Sequence, residues 1–207
     1  MKKRLFALML AVMMLAITAC GNDDGKFTIG TTTDTYYENE YFGICYTPTN
    51  DMVLQNEDYI KQVNAALVSI LDDSSVKKSL ESGNSVTLAY ALNADSTQTF
   101  NIIVQNVKSV FQKSVSDEDI IEQSLDTTKE MLESMGIFDS VKVTKGTAKL
   151  LGKEVVSMDV AAKVSGYDFY ETEVLLRKGN YVMFITAGAY FDKDTLQTIL
   201  DDIKSID

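Results

Sequence analysis

Four consecutive stretches between Phe138 and Tyr190 constrain this chain more than any other feature. Phe138 to Leu150, Lys153 to Val164, Tyr167 to Arg177 and Tyr181 to Tyr190 are dense in β-branched and aromatic residues. Ser165-Gly166 and Lys178-Gly179-Asn180 punctuate them as tight-turn signals. Strands joined so briefly pair antiparallel, because a parallel pair needs a crossover of about a dozen residues or more. A sheet of this length must also bury a face against another layer.

Helical patterns supply that layer. Asn56 predicts the cap of a helix in which Ile60, Val63, Leu67 and Ile70 (or Leu71) recur at three and four. A shorter helical piece runs from Ser75 to Glu81 and stops at Gly83. Ser116 opens the clearest helix, with Asp119 in the place of a capping-box acid and Val115 and Ile120 at the staple positions. Its apolar face is Ile121, Leu125, Thr128, Leu132 and Met135, and Gly136 ends it. The last helix follows Asp192, with Phe191 and Leu196 as its staple and Leu196, Ile199, Leu200, Ile203 and Ile206 as its buried face. Three further strands are expected: Tyr41 to Tyr46, then Val86 to Leu92 and Thr99 to Val107 as a pair. The expected fold is α+β, an antiparallel sheet of about six to seven strands covered by helices in the order β-α-ββ-α-ββββ-α.

The N-terminus carries an address. Lys2-Lys3-Arg4 precedes an apolar run from Leu5 to Ala19, too short for a spanning helix and typical of a secretory signal peptide. Ile17-Thr18-Ala19-Cys20 resembles a bacterial lipobox, although Leu is commoner where Ile17 stands. That resemblance implies signal-peptidase recognition at Ile17, Thr18 and Ala19, and diacylglycerol on the Cys20 sulfur. Two or three acyl chains anchor a protein far more firmly than one. The expected organisation is a signal peptide over 1–19, a lipidated N-terminus and flexible tether over 20–37, and one domain over 38–207. The protein is expected to be secreted and held to the membrane by lipid, facing outside the cytoplasm.

Composition narrows the partners. The chain has 19 Lys+Arg and 30 Asp+Glu. Three of the basic residues lie in the signal, leaving 16 against 30, a net of −14. Nucleic acid is thereby disfavoured, since phosphates demand a basic face. Adhesion of the folded body to anionic lipid is disfavoured too. With Cys20 lipidated, Cys45 has no disulfide partner and reads as a small buried hydrophobe. The complete absence of His removes the usual general base, imidazole-dependent triads and nearly every catalytic zinc site.

Few residues remain as candidates for chemistry. Glu171 and Glu173 share one strand face, roughly 6.5–7 Å apart along the backbone. Paired carboxylates of this kind work in glycosidases. A solvated outer sheet face is the expected setting here, with nothing near in sequence to raise either pKa. Asp72-Asp73, Asp201-Asp202 and Asp192 with Asp194 lack the spaced ligands and glycine turn of a calcium loop, and read as caps and solvated faces. Tyr36, Tyr37, Tyr41, Phe42 and Tyr46 cluster before and within the first strand. They are the candidate partner or ligand surface, although one set of them is expected in the core. No catalytic residue, metal site or cofactor is expected.

Three local runs, together with the element order, resemble the PsbP-like family. They are Asn39-Glu40-Tyr41-Phe42-Gly43-Ile44 leading to Pro48, Phe100-Asn101-Ile102-Ile103-Val104, and Lys178-Gly179-Asn180-Tyr181-Val182 before the capped last helix. The family often has Trp shortly after the proline, where this chain has Thr49-Asn50-Asp51-Met52. The resemblance implies an α/β/α sandwich, shared by the photosystem extrinsic protein PsbP, a Ran-binding nuclear-transport protein and many bacterial lipoproteins. It implies binding or assembly roles and no common enzyme activity. The expected function is therefore a lipid-anchored, non-catalytic binding or accessory module that docks with an envelope protein. A small-molecule or solute-binding lipoprotein is the alternative, needing a pocket of about 300 Å³ or more. A carboxylate-based hydrolase is a remote third.

Overall fold

The four-stranded meander forms almost at the expected bounds. In the computed structural model, which describes residues 27–49, 51–64, 71–107 and 115–206, it comprises β7 (Phe138–Leu150), β8 (Lys153–Val164), β9 (Tyr167–Lys178) and β10 (Tyr181–Tyr190). The expected signal peptide, the Ile17-Thr18-Ala19-Cys20 site and the first part of the tether lie outside the described residues, as do Leu67 and Ile70. Ser165 (φ +53°) and Gly166 (φ +85°) form the two-residue turn between β8 and β9. Both central residues at positive φ match the twist of the flanking strands.

The strands β1 (Thr31–Thr32), β2 (Tyr37–Asn39), β3 (Ile44–Tyr46), β4 (Val53–Leu54), β5 (Val86–Leu92), β6 (Gln98–Asn106) and β11 (Ile203–Ser205) complete two antiparallel sheets. A seven-stranded sheet runs β4-β5-β6-β10-β9-β8-β7, and a four-stranded sheet runs β1-β2-β3-β11. Four helices are described: α1 (Glu57–Asn64), α2 (Asp73–Glu81), α3 (Asp117–Ser134) and α4 (Thr195–Asp201). The α+β class holds; the strands β1, β2, β4 and β11 extend the expected order.

The central strands of the large sheet are buried on both faces. On one face Phe100, Ile102, Met183 and Ile185 pack with Tyr37, Ile44 and Tyr46 of the small sheet, Val76 and Leu80 of α2, and Leu196 and Ile199 of α4. On the other, Ile120 and Ile121 of α3 meet Ile103, Leu175, Val182 and Phe184, while Leu132 meets Phe138, Val160 and Phe169. The continuous apolar runs in β6 and β10 follow from having cover on both sides. α3 begins with the capping box foreseen at Ser116, whose side chain accepts from the Asp119 amide while Asp119 accepts from the Ser116 amide. Asn56 accepts from the Tyr59 amide, as a cap should.

Three expectations are corrected. The tether is shorter: Phe27 is buried, stacked on Tyr181 at 4.4 Å, and the Ile29 amide donates to Asp73. Residues 27–37 thus belong to the domain, because one aromatic anchor and a strand pair outweigh their polar composition. The strand expected over Tyr41 to Tyr46 is confined to Ile44–Tyr46. Asn39 Oδ1 accepts from the Phe42 amide, and Gly43 sits at φ +74°, so residues 40–43 turn instead. Helix α4 stops at Asp201, and Ile203 joins a strand opposite Tyr46. Pairing with β3 lets Ile203 stay buried while closing an open sheet edge.

Candidate functional site

The aromatic cluster singled out near the N-terminus does not form an exposed patch. Tyr37, Tyr41 and Tyr46 are buried. Tyr37 donates to the Ile29 carbonyl and accepts from Asn39 Nδ2. Tyr41 donates to the Lys178 carbonyl, with the Lys178 ammonium over its ring. Tyr46 stacks on Phe100 with centroids 3.7 Å apart. Tyr36 and Phe42 are half-buried, Phe42 edge-on to Tyr41. These rings hold the small sheet to the large one. Burial pushes the Tyr37 and Tyr46 hydroxyls well above the usual phenol range. Cys45 is free and half-buried rather than fully buried, because it lies on the outer face of β3.

Glu171 and Glu173 are also placed differently from the expectation. Glu173 is 3% exposed, and Glu171 is half-buried. The register sets Glu171 beside Gly188 and Val160, and Glu173 beside Thr186 and Met158, on the face that α3 covers. The expected solvated face is therefore an interior one. Desolvation raises the Glu171 pKa to about 8 and lifts that of Glu173 well above the carboxylate range, with Glu171 beside it adding to the rise. Thr186 donates to Glu173 Oε2, and Oε1 finds no partner among the described residues. Burial thus favours the protonated form of both acids. Asp72 caps α2 through the Ser74 and Ser75 amides, as expected. Among the described residues no three acidic or Cys side chains are grouped to hold a metal.

A different site lies where three chain connections meet at one end of the large sheet. The β5–β6 connection (Asn93 to Thr97), the β8–β9 turn and the corner after β10 come together there. The Tyr190 amide donates to the Thr97 carbonyl, and the Phe191 amide donates to the Asp168 carbonyl. They line an open hollow of about 440 Å³, walled by Ala94 to Thr97, Val164, Ser165, Tyr167, Tyr190 and Phe191. Tyr167 and Phe191 are 59% and 60% exposed, edge to face at 5.5 Å. Rings continue inward from them: Phe191 to Tyr190 at 6.0 Å, Tyr190 to Phe169 at 5.2 Å and Phe169 to Phe138 at 5.7 Å. The outer pair thus stands on a ladder rooted in the core.

The backbone at this rim is strained. Phe191 has φ +73°, and the Asp192 amide donates across it to the Tyr190 carbonyl. That is a γ-turn of the rare, costly hand, occupied by a bulky residue. Phe191 is therefore not the staple expected for the last helix; its ring points to solvent while Leu196 alone is buried. Asp192 still holds the start of α4 by accepting from the Asp194 amide. Ser96 and Ser165 are likewise left-handed. Sequence reasoning missed Tyr167 and Phe191. The available signal was position alone: each is the first residue beyond a turn or strand end, where a large apolar side chain has no core to enter.

The fold is similar to the solution structure of cyanobacterial PsbP (CyanoP) from Synechocystis sp. PCC 6803, with 11% identity over 90% of this chain and 97% of that chain, and a TM-score of 0.46. No family model matches the chain. No curated protein matches it either.

Proposed function

We propose that this chain is a lipid-anchored envelope lipoprotein whose PsbP-like domain acts as a non-catalytic binding or accessory module. The observation that carries the docking role is the exposed Tyr167–Phe191 pair, fixed outward by a strained turn. Exposed aromatics backed by a rigid core are the usual anchors of protein interfaces. Backbone strain gathers at functional sites because the surrounding fold must offset it for some return. The anchor rests on the basic, apolar and lipobox segments ending at Cys20. The same rim replaces the N-terminal tyrosines as the surface that meets the partner.

Two linked measurements test this in the producing cell. Metabolic labelling with an alkyne palmitate analogue should mark the native chain and leave Cys20→Ala unlabelled. A photo-crosslinking amino acid at position 167 should give one recurrent adduct with an envelope protein, absent when the crosslinker is placed at the exposed Glu154 near the start of β8. An unlabelled native chain removes the anchor. Identical adduct patterns from the two positions remove the docking rim.

A further inference from the structure

We propose that the rim receives a cationic side chain, an arginine or lysine of a basic segment on a partner protein, laid against Tyr167 and Phe191. This rests on reading the chain as a docking module and names the chemistry of what docks. The hollow presents π-faces, hydroxyls and the Asp95 carboxylate, and no cationic side chain lines it among the described residues. Asp95 is exposed and directed by its bonds from the Thr97 amide and hydroxyl, which keep its carboxyl below the usual range and ionised. Two lysines lie near the lining residues in sequence, and each faces a carboxylate: Lys163 pairs with Asp168, and Lys193 reaches Asp159. A site rich in acceptors and ring faces suits a ligand that is donor-only and positively charged.

Charge on the larger scale agrees. The chain beyond the signal segment carries 16 basic residues against 30 acidic ones, so its field attracts basic partners and repels acidic ones. The described residues already include such a contact, with the Lys178 ammonium 5.4 Å from the centroid of Tyr41. At the rim Tyr167 and Phe191 are both largely exposed to solvent. Arginine is the better fit of the two cations, because its flat guanidinium stacks on a ring while donating sideways to a carboxylate.

The test uses the full chain in non-ionic detergent, with ¹³C-labelled Tyr and Phe rings observed by NMR. Three probes are titrated: acetyl-Gly-Arg-Gly-Arg-Gly-amide, the same peptide with neutral citrulline for each Arg, and N,N′-diacetylchitobiose. The Arg peptide should shift the Tyr167 and Phe191 rings saturably, and the citrulline peptide should bind at least about fivefold more weakly. Tyr167→Ala should weaken the Arg peptide by a similar factor, as should Phe191→Ala, each with unchanged ring shifts in the core. Equal affinity for the citrulline peptide overturns the proposal. So does Arg-peptide binding that survives Tyr167→Ala, which would mean diffuse attraction to an acidic surface. Ring shifts from chitobiose without shifts from the Arg peptide would reassign the rim to a glycan. If every probe fails while the crosslink at position 167 persists, the docking reading stands and the cationic ligand falls. If the crosslink is also lost, both fall.

Discussion

Glu171→Gln should stabilise this protein at neutral pH, and the gain should vanish in acid. Burial raises the folded-state pKa of Glu171 from 4.5 to about 8. Below about pH 4.5 the folded and unfolded chains both hold the proton, and the group contributes nothing to pH dependence. Between 4.5 and 8 the unfolded chain releases it and the folded chain keeps it, so stability falls with rising pH. Each such acid costs about 1.36 kcal/mol per pH unit over that window. At pH 7 the full penalty for Glu171 is about 3.4 kcal/mol. Its side chain is half-buried, and solvent screening reduces this to roughly 1.5–2 kcal/mol. Glutamine keeps the shape and has no charge to desolvate. Urea unfolding followed by circular dichroism at pH 4, 5, 6, 7 and 8 should show the native and variant chains converging at pH 4. At pH 7 the variant should lead by roughly 1.5–2 kcal/mol, equivalent to about 3–8 °C in Tm for a domain of this size. The Glu171→Gln/Glu173→Gln double variant should flatten the decline further, since Glu173 is shifted in the same direction. Parallel pH curves for all three proteins would refute the interior placement of this pair.

Other positions give sharper local tests. Phe191→Gly releases a left-handed backbone while losing only an exposed ring, so it should stabilise the fold by about 1 kcal/mol; a loss of that size in urea unfolding would make Phe191 structural. Tyr46→Phe removes a buried hydroxyl that has no partner among the described residues, and should be neutral or stabilising by up to about 1 kcal/mol, read as a raised Tm. Gly179→Ala places a Cβ 2.6 Å from Tyr41 Oη at a φ of +57°, and should cost about 1–3 kcal/mol in urea unfolding. Ser116→Ala breaks the α3 capping box and should cost about 1 kcal/mol, with earlier amide exchange in the first turn of α3.

The meander and α3 were legible because their signals are local. Ser165-Gly166 can close a two-residue hairpin by itself, and Ser116 with Asp119 can cap a helix by itself. Apart from the local turns at residues 40–43 and at Phe191, the corrections involve contacts between distant segments. Ile203 continues the helical apolar spacing of Leu196, Ile199 and Leu200, yet it is strand, because it pairs with the sheet edge at Tyr46, 157 positions earlier in the chain. Phe27 sits in a polar stretch without period, and only Tyr181 explains why it is buried. Nothing in a window of ten residues carries that information.

The same limit explains the two sites. Alternation along β9 shows that Glu171 and Glu173 share a face but not which face, and the answer depends on where α3 packs. With both faces of the sheet's central strands covered, the usual association of a polar strand face with solvent fails. At the rim the relation between residue type and burial is reversed. Tyr167 and Phe191 look like core residues by type, and two of the largest apolar side chains are instead left in water at the end of an aromatic ladder. A bulky residue in a costly γ-turn, exposed beside a second exposed ring, buries little of its own surface to offset that strain. If Phe191→Gly proves as stable as the native chain and loses the ligand, the strain belongs to binding. If stability and binding fall together, the ring is holding the corner of the sheet and the docking surface must be sought elsewhere.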